Sequence, residues 1–205
     1  QDTAAKSPNN GRARFQLAFA QWQNGNCAEA AKNYAAAEKM QAPDDRLYID
    51  WAHALDCLNQ PDEAVAKLRE AIKIKPSALA YAQIGMIYGK RGHSEEALVA
   101  LNQAEKIDPG FEMTYVYKGN LHAGRGDHAA ASAQYNRALA INPGNETAKQ
   151  ALAISQQQLR PRHPRLTVTE RRGSVIRSIV DRRNPRAVVS RKIISASCST
   201  SAGRH

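Results

Sequence analysis

Histidine and cysteine are the side chains of this sequence best suited to catalysis or metal binding, but they stand far apart. None of them are paired at metal-ligand spacing, and the motifs G-x-S-x-G and H-E-x-x-H are missing. Four of the six histidines are His53, His93, His122 and His128. We therefore predict a non-catalytic protein that uses no metal and no cofactor.

A second kind of chemistry, the binding of anions, is concentrated at the C-terminal end. The formal net charge of +10 comes entirely from residues 160–205, which hold 12 basic and 2 acidic side chains. The arginines that we consider as anion ligands are Arg160, Arg162, Arg165, Arg171, Arg172, Arg182 and Arg183. Such a segment can bind nucleic-acid phosphate or an anionic membrane, with an affinity that falls as salt rises.

We predict that residues 160–205 form a basic, mostly disordered tail. Their composition is that of a solvated, flexible segment, which is the commonest role of such sequences. They contain no aromatic residue that could stack on bases, so recognition of single strands by stacking is disfavoured. An unrelated fused or frame-shifted stretch would produce the same abrupt change of composition.

Ahead of the tail, one pattern of residues recurs four times with a period of 33 or 34 residues. A turn position holds Gly25, Asn59, Gly92 and Gly126. Two alanines follow it in every unit: Ala30 and Ala37, Ala64 and Ala71, Ala97 and Ala104, Ala131 and Ala138. Three of the units close on a proline, at Pro76, Pro109 and Pro143.

The pattern predicts helix–turn–helix units. Gly adopts the left-handed conformation at least cost and Asn is the next best residue, so the turn position ends a first helix. The two alanines lie on one face of a second helix, where a missing side chain lets two helices approach closely. Proline then ends that helix. One unit cannot bury its apolar face alone, but stacked units can.

These residues resemble the tetratricopeptide repeat, whose 34-residue pattern has aromatic, Leu, Gly, Tyr, Ala and Pro residues at fixed places. The third unit supplies Tyr81, Ile84, Gly85, Tyr88, Ala97, Leu101, Ala104 and Pro109. The first unit departs from the pattern at Arg14 and Gln21. The fourth departs from it at Lys118 and His122. The resemblance implies an all-α, right-handed superhelical solenoid.

We divide the chain into three parts on this basis. Residues 1–10 are a polar lead-in, residues 11–159 are the solenoid, and residues 160–205 are the tail. The solenoid consists of repeats over residues 11–44, 45–77, 78–111 and 112–145, followed by a capping helix over residues 146–159.

Two of the three cysteines fall at the turn edges of neighbouring repeats. Cys27 begins the second helix of the first repeat, and Cys57 ends the first helix of the second repeat. Stacking brings such edges side by side, so a disulfide between them is sterically feasible. The alternative is that they are two unrelated small apolar residues. Cys198 has no evident partner.

The resemblance also implies a concave groove lined by the first helix of each repeat. The groove residues that we single out are Arg12, Phe15, Phe19, Trp22, Arg46, Ile49, His53, Met86, Lys90, Met113, Val116 and Asn120. Some family members hold acidic chaperone C-termini through Lys and Asn at the places where this chain has Phe15 and Phe19. We therefore expect an apolar or amphipathic peptide. The alternative is that Phe15, Phe19 and Trp22 pack into the first repeat's own core.

We predict a scaffold or adaptor that binds a peptide or helix of a partner protein in this groove, and no small-molecule substrate. The alternative is an adaptor tethered through its basic tail to nucleic acid or an anionic membrane. The non-Met start and the cysteine pair favour an extracytoplasmic location, either the bacterial periplasm or secretion, over the cytoplasm. No apolar run approaches the ~20 residues that a membrane span needs.

Overall fold

The computed structural model describes residues 10–40, 43–160, 166–171, 174–180 and 188–192. The chain divides into two compact units, residues 1–159 and residues 160–205. The first unit is helical and the second contains strands. No helix in these described ranges is long and apolar enough to cross a membrane.

The first unit has nine helices among its described residues, arranged as four helix–turn–helix repeats and a final single helix. In chain order they are α1 (Gly11–Gln23), α2 (Cys27–Met40), α3 (Asp45–Cys57), α4 (Pro61–Ile74), α5 (Ala78–Lys90), α6 (Ser94–Ile107), α7 (Glu112–Gly124), α8 (His128–Ile141) and α9 (Glu146–Leu159). We call the first helix of each repeat, α1, α3, α5 and α7, its A helix. The second helix, α2, α4, α6 and α8, is its B helix.

One residue with positive φ sets the turn inside each repeat. Gly25, Gly92 and Gly126 have φ of 80°, 78° and 78°. Asn59 occupies the equivalent turn with φ of 57°. Residues with a Cβ rarely adopt this conformation, Gly adopts it freely, and Asn tolerates it better than most. The predicted turn positions are confirmed.

Side chains at the helix starts satisfy backbone amides that would otherwise lack partners. Asn10, Asp44 and Asp127 each accept a hydrogen bond from the amide three residues later, at 3.2, 2.8 and 3.0 Å. Ser77 and Asn145 accept in the same way at the starts of α5 and α9. A cap of this kind stabilises a helix by about 1 kcal/mol and determines where it begins.

Small residues let the two helices of a repeat pack closely. The paired alanines of the B helices are fully buried: Ala30, Ala37, Ala64, Ala71, Ala97, Ala104, Ala131 and Ala138. On α5, a Cβ added to Gly85 would lie 2.5 Å from the Cγ atom of Leu101 and 3.1 Å from the carbonyl oxygen of Ala97. Gly119 on α7 is covered in the same way by the ring of Tyr135. At these two glycines the A helix leaves room for a large side chain of its own B helix.

In the first repeat, polar residues at places that the family pattern fills with apolar side chains bond to one another. Arg14 Nη1 donates to Asn33 Oδ1 at 3.0 Å, and Asn33 Nδ2 donates to Gln21 Oε1 at 2.8 Å. Arg14 and Gln21 are the two departures from the family pattern in this repeat. Because a buried polar group costs free energy unless it is paired, buried Asn33 makes both departures tolerable.

An ion pair accommodates the departure at Lys118 in the fourth repeat. Lys118 is only 7% exposed, and its ammonium donates to a carboxylate oxygen of Glu105. Glu105 also accepts from Arg137 at 2.9 Å, and the Arg137 guanidinium lies 4.3 Å from the ring centroid of Tyr115. The hydrogen bond from Lys118 holds the pKa of Glu105 below its usual range.

The A helices line the inner face of the solenoid. α1 contacts α3, α5 contacts α7, and α7 contacts α9, whereas the main contacts of each B helix are with A helices and with α9. A stack whose A helices converge curves toward them. The predicted all-α solenoid of four repeats and a capping helix is confirmed.

The second unit contains a three-stranded antiparallel sheet in the order β1–β2–β3. Its strands are β1 (Leu166–Arg171), β2 (Ser174–Val180) and β3 (Val188–Lys192). Leu166 is paired with Ile179 across β1 and β2. β-Branched residues are frequent in all three strands and favour extended backbone. The prediction of a mostly disordered tail did not include these strands, and the other residues after Arg160 lie outside the described ranges.

Substituting Gly85 by Ala should lower the free energy of unfolding by about 1 to 2 kcal/mol, because the new methyl group overlaps Leu101 and forces the helices apart. Urea denaturation followed by circular dichroism measures the change. Gly124→Ala is the matched control, since nothing lies within 4 Å of a Cβ at this helix position. It should be neutral or slightly stabilising. Equal effects of the two substitutions would contradict the packing account.

Substituting Glu105 by Gln should lower the free energy of unfolding by about 1 to 3 kcal/mol at pH 7, because it weakens the pairing of buried Lys118. The folded-state pKa of Glu105 is lowered, so its stabilisation is complete above the unfolded-state pKa and is lost as the pH falls through the folded-state value. The stability of the wild-type protein should therefore decline more steeply toward acid than that of E105Q.

Denaturant titrations at pH 7, 5 and 4 measure this difference. Glu29→Gln is the control, because Glu29 pairs with Lys32 on the exposed surface of α2. That substitution should change stability by less than about 1 kcal/mol. Parallel pH profiles for E105Q and the wild-type protein would contradict the role of Glu105.

Candidate functional site

Aromatic side chains lie at the N-terminal end of the inner face. The Trp22 ring of α1 stacks on the His53 ring of α3, with centroids 5.2 Å apart and planes inclined by 27°. Phe19, one turn earlier on α1, lies with its ring 5.9 Å from that of Trp22. All three side chains are half-buried, so each keeps part of its surface open to a ligand.

A hydrogen bond extends this group to the third repeat. His53 Nε2 lies 2.8 Å from Gln83 Nε2 on α5. An amide nitrogen only donates, so this contact requires a neutral imidazole whose Nε2 accepts. Burial lowers the pKa of His53, which favours the neutral ring. The charge of nearby Asp56 opposes that shift.

An ion pair continues the surface toward the C-terminal repeats. Asp56 Oδ2 accepts from Lys90 Nζ at 2.8 Å, which joins α3 to α5. Tyr117 on α7 is half-buried, and its pKa is raised by burial and by the negative charge of Asp56. Side chains from all four A helices thus form one surface, which we call the inner strip: Phe19, Trp22, His53, Asp56, Lys90 and Tyr117, together with buried Gln83, which bonds to His53.

Some of the predicted groove residues are core residues in the structure. Ile49 and Val116 are 6% and 0% exposed, so neither presents a surface to a ligand. Phe15 packs against the buried ring of Tyr34, with centroids 5.8 Å apart. The fifth place of an A helix therefore points into the packing rather than into a groove. This differs from the expectation for Ile49 and Val116, and it matches the core alternative for Phe15.

The remaining predicted groove residues lie outside the strip. Arg12 and Arg46 are exposed, and Arg46 Nε is 3.6 Å from Asp50 Oδ2. Asn120 is exposed and accepts from the hydroxyl of Tyr135 at 2.8 Å. The other two residues are half-buried methionines that pack against core clusters, Met86 and Met113.

Sequence reasoning missed Gln83 and Tyr117. They are the sixth residues of α5 and α7, and the groove residues implied by the family resemblance do not include this position. Helical spacing could have identified Gln83, because it lies three residues before Met86 and seven before Lys90, on the same face of α5.

The arrangement is suited to binding a ligand. Its charged groups neutralise each other, and its imidazole is neutral and hydrogen-bonded to an amide. In the part of the chain that the structure describes, no group of three His, Cys, Asp or Glu side chains could hold a metal ion. What the strip offers a ligand is half-exposed aromatic surface beside hydrogen-bonding side chains.

The cysteine pair lies next to this surface. A disulfide joins Cys27, the first residue of α2, to Cys57, the last residue of α3, with their Cα atoms 6.2 Å apart. Cys27 is buried and Cys57 is exposed. The bond connects the first repeat to the second one helical turn beyond His53.

The predicted anion ligands of the tail are mostly outside the described ranges. Arg160 is exposed just after α9, and Arg171 ends β1, where its backbone is paired with that of Ser174. The others, which the structure does not describe, are Arg162, Arg165, Arg172, Arg182 and Arg183.

Known proteins with similar sequences align with about half of this chain. Small glutamine-rich tetratricopeptide repeat-containing protein 2 of Mycosarcoma maydis is 29% identical over 97 residues, 47% of this chain and 28% of that protein. Heat shock protein STI1 of Saccharomyces cerevisiae is 29% identical over 113 residues, 53% of this chain and 19% of that protein. The matched segment is therefore less than a third of either relative.

A solved structure and the family's sequence profiles cover more of the chain. YrrB, described as a TPR protein with an unusual peptide-binding site, has a TM-score of 0.58 and 21% identity over 72% of this chain and 77% of its own. Profiles of the tetratricopeptide repeat match residues 15–78, 78–111 and 114–145. These matches cover more than half of the sequence and all four repeats, so this chain belongs to the tetratricopeptide repeat family.

Proposed function

We propose that this protein is a non-catalytic scaffold or adaptor that holds a peptide or helix of a partner protein along its inner strip. The observation that carries the proposal is the stack of Phe19, Trp22 and His53 across two repeats, half-buried and continued by Gln83. Half-exposed aromatic rings on a rigid scaffold are the side chains that most often dominate protein binding. Membership of the family and the peptide-binding site described for YrrB support a protein ligand.

The chemistry of the strip favours an apolar or amphipathic segment over an acidic one. Its one cation, Lys90, is already paired with Asp56 at 2.8 Å. Phe15 and Phe19 stand where family members that bind acidic chaperone C-termini have Lys and Asn. A ligand would therefore place an apolar side chain against Trp22 and Phe19. Backbone or polar side-chain groups of the ligand would then meet Asp56 and Lys90.

A second function is favoured by the segregation of charge. Residues 160–205 carry 12 basic and 2 acidic side chains, whereas the rest of the chain has equal numbers of each sign. In this alternative the tail binds nucleic acid or an anionic membrane while the repeats hold a protein. The full chain should then bind anionic vesicles or duplex DNA at low salt and lose them at high salt, and residues 1–159 should bind neither.

We also propose an extracytoplasmic location, which would suit the cysteine pair.

Substituting Phe19 or Trp22 by Ala should weaken peptide binding at least about tenfold, because each removes aromatic contact surface. Peptides selected from a phage-displayed random library against the full chain provide the ligands, and fluorescence anisotropy measures their affinity. Val99→Ala is the control, since Val99 is 64% exposed on the B helix α6. Its affinity should equal that of the wild-type protein.

Circular dichroism of the same variants separates binding from folding. F19A and W22A should keep the helical signal of the wild-type protein. Unchanged affinity in both variants would place the binding surface elsewhere. A loss of helical signal in F19A would instead show that Phe19 serves the core of the first repeat.

A further inference from the structure

Adjacent repeats are cross-linked at their turn edges, at equivalent positions. Between repeats 2 and 3, Arg91 Nη1 donates to Asp62 Oδ1 at 2.6 Å. Between repeats 3 and 4, Arg125 Nη2 donates to Glu95 Oε1 at 3.0 Å. In both cases the arginine precedes the left-handed turn residue by one position, and the acid follows the turn residue of the preceding repeat by three.

The border between repeats 1 and 2 has a covalent bond at this edge instead. The equivalent positions there hold Leu58 and Ala28, which cannot form an ion pair. One residue away from each, Cys57 and Cys27 form the disulfide. An exposed ion pair contributes about 1 kcal/mol or less, whereas a disulfide typically contributes several times as much.

The polar network of the first repeat does not reinforce this edge. The side chains of Arg14, Gln21 and buried Asn33 bond to one another inside the repeat and not across the border. On the inner face, its contact with repeat 2 is the stacking of Trp22 on His53. The disulfide lies beside this stack, since Cys57 follows His53 by four residues on the same helix.

We infer that the disulfide controls the docking of the first repeat onto the second, and with it the aromatic end of the inner strip. Oxidation fixes Trp22 and Phe19 beside His53. Reduction leaves the turn edge of this border without a cross-link, whereas the other two borders keep their ion pairs there, so α1 and α2 open locally and the strip loses its aromatic end. The effect on ligand binding rests on the proposed function, and the effect on docking does not.

A dithiol reductant such as dithiothreitol reduces this disulfide by thiol–disulfide exchange. Its thiolate attacks the sulfur of exposed Cys57, the protein S–S bond breaks, and Cys27 leaves as a thiolate that takes up a proton. The second thiol of the reagent then displaces Cys57 and closes the reagent's own disulfide. The protein gains two electrons and two protons and ends with two thiols.

Hydrogen exchange measured by mass spectrometry on the full chain tests the docking. All samples carry Cys198→Ser, so that no third thiol exchanges with the pair. After reduction, confirmed by the gain of two hydrogens in the intact mass, amides of α1 and α2 should exchange at least about tenfold faster. Amides of α5 to α8 should keep their protection and serve as an internal control for folding. Reoxidation should restore the original pattern.

Two variants sharpen the test. Cys27→Ser with Cys57→Ser should show fast exchange in α1 and α2 without reductant and no response to it. Glu95→Gln removes the ion pair at the border of repeats 3 and 4 and should leave exchange in α1 and α2 within about twofold of the wild-type rate. Full protection of α1 and α2 in the reduced protein or in the double variant would overturn the inference.

Peptide affinity, measured on the same samples, tests the link to the strip. Peptides selected against the oxidised chain should bind at least about tenfold more weakly after reduction. Faster exchange in α1 and α2 with unchanged affinity would overturn the link between the disulfide and the strip. A wild-type protein that selects no peptide at all would contradict the proposed function and leave the exchange result standing.

Discussion

The close contact between the A and B helices of each repeat is the constraint on which the rest of the solenoid depends. The paired alanines of the B helices are fully buried, and at Gly85 on an A helix even one added methyl group would overlap Leu101. Large side chains such as Leu101 and Tyr135 fill the space over the glycines of their own repeats, and others meet across the borders between repeats. Stacking buries these side chains, and it also brings Trp22, His53 and Gln83 together on the inner face.

The borders between repeats are closed by different chemistries on the same geometry. At the first border, Lys67 lies 3.6 Å from the Trp51 ring centroid and pairs with Glu38, to which the Tyr48 hydroxyl donates. Burial, together with this bond to Glu38, raises the pKa of Tyr48 to about 12. The third border has a similar arrangement. Glu105 accepts a hydrogen bond from Arg137, and the Arg137 guanidinium lies over the ring of Tyr115. The turn edges carry a disulfide at the first border and ion pairs at the next two.

The repeats could be predicted from the sequence because each key position depends on a local requirement. A turn residue such as Gly25 needs positive φ, and an alanine such as Ala30 needs only to be small. The inner strip was harder to predict. A shift of one residue rotates a side chain by about 100° around the helix, so an error of one position selects a different face. The family resemblance selects Val116, which is buried, whereas the next residue, Tyr117, belongs to the strip. Polar partners such as Lys118 and Glu105 lie on different repeats, so sequence spacing alone does not reveal them.

The central claim is that the inner strip is the surface that binds a partner segment. Amide and indole NMR spectra of the labelled full chain, titrated with a selected peptide, test it most directly, because they report on every element at once. We expect the largest shift changes at the Trp22 indole, at the Gln83 side-chain amide, and along α1, α3 and α5. Largest changes along the B helices or in residues 160–205 would contradict the account.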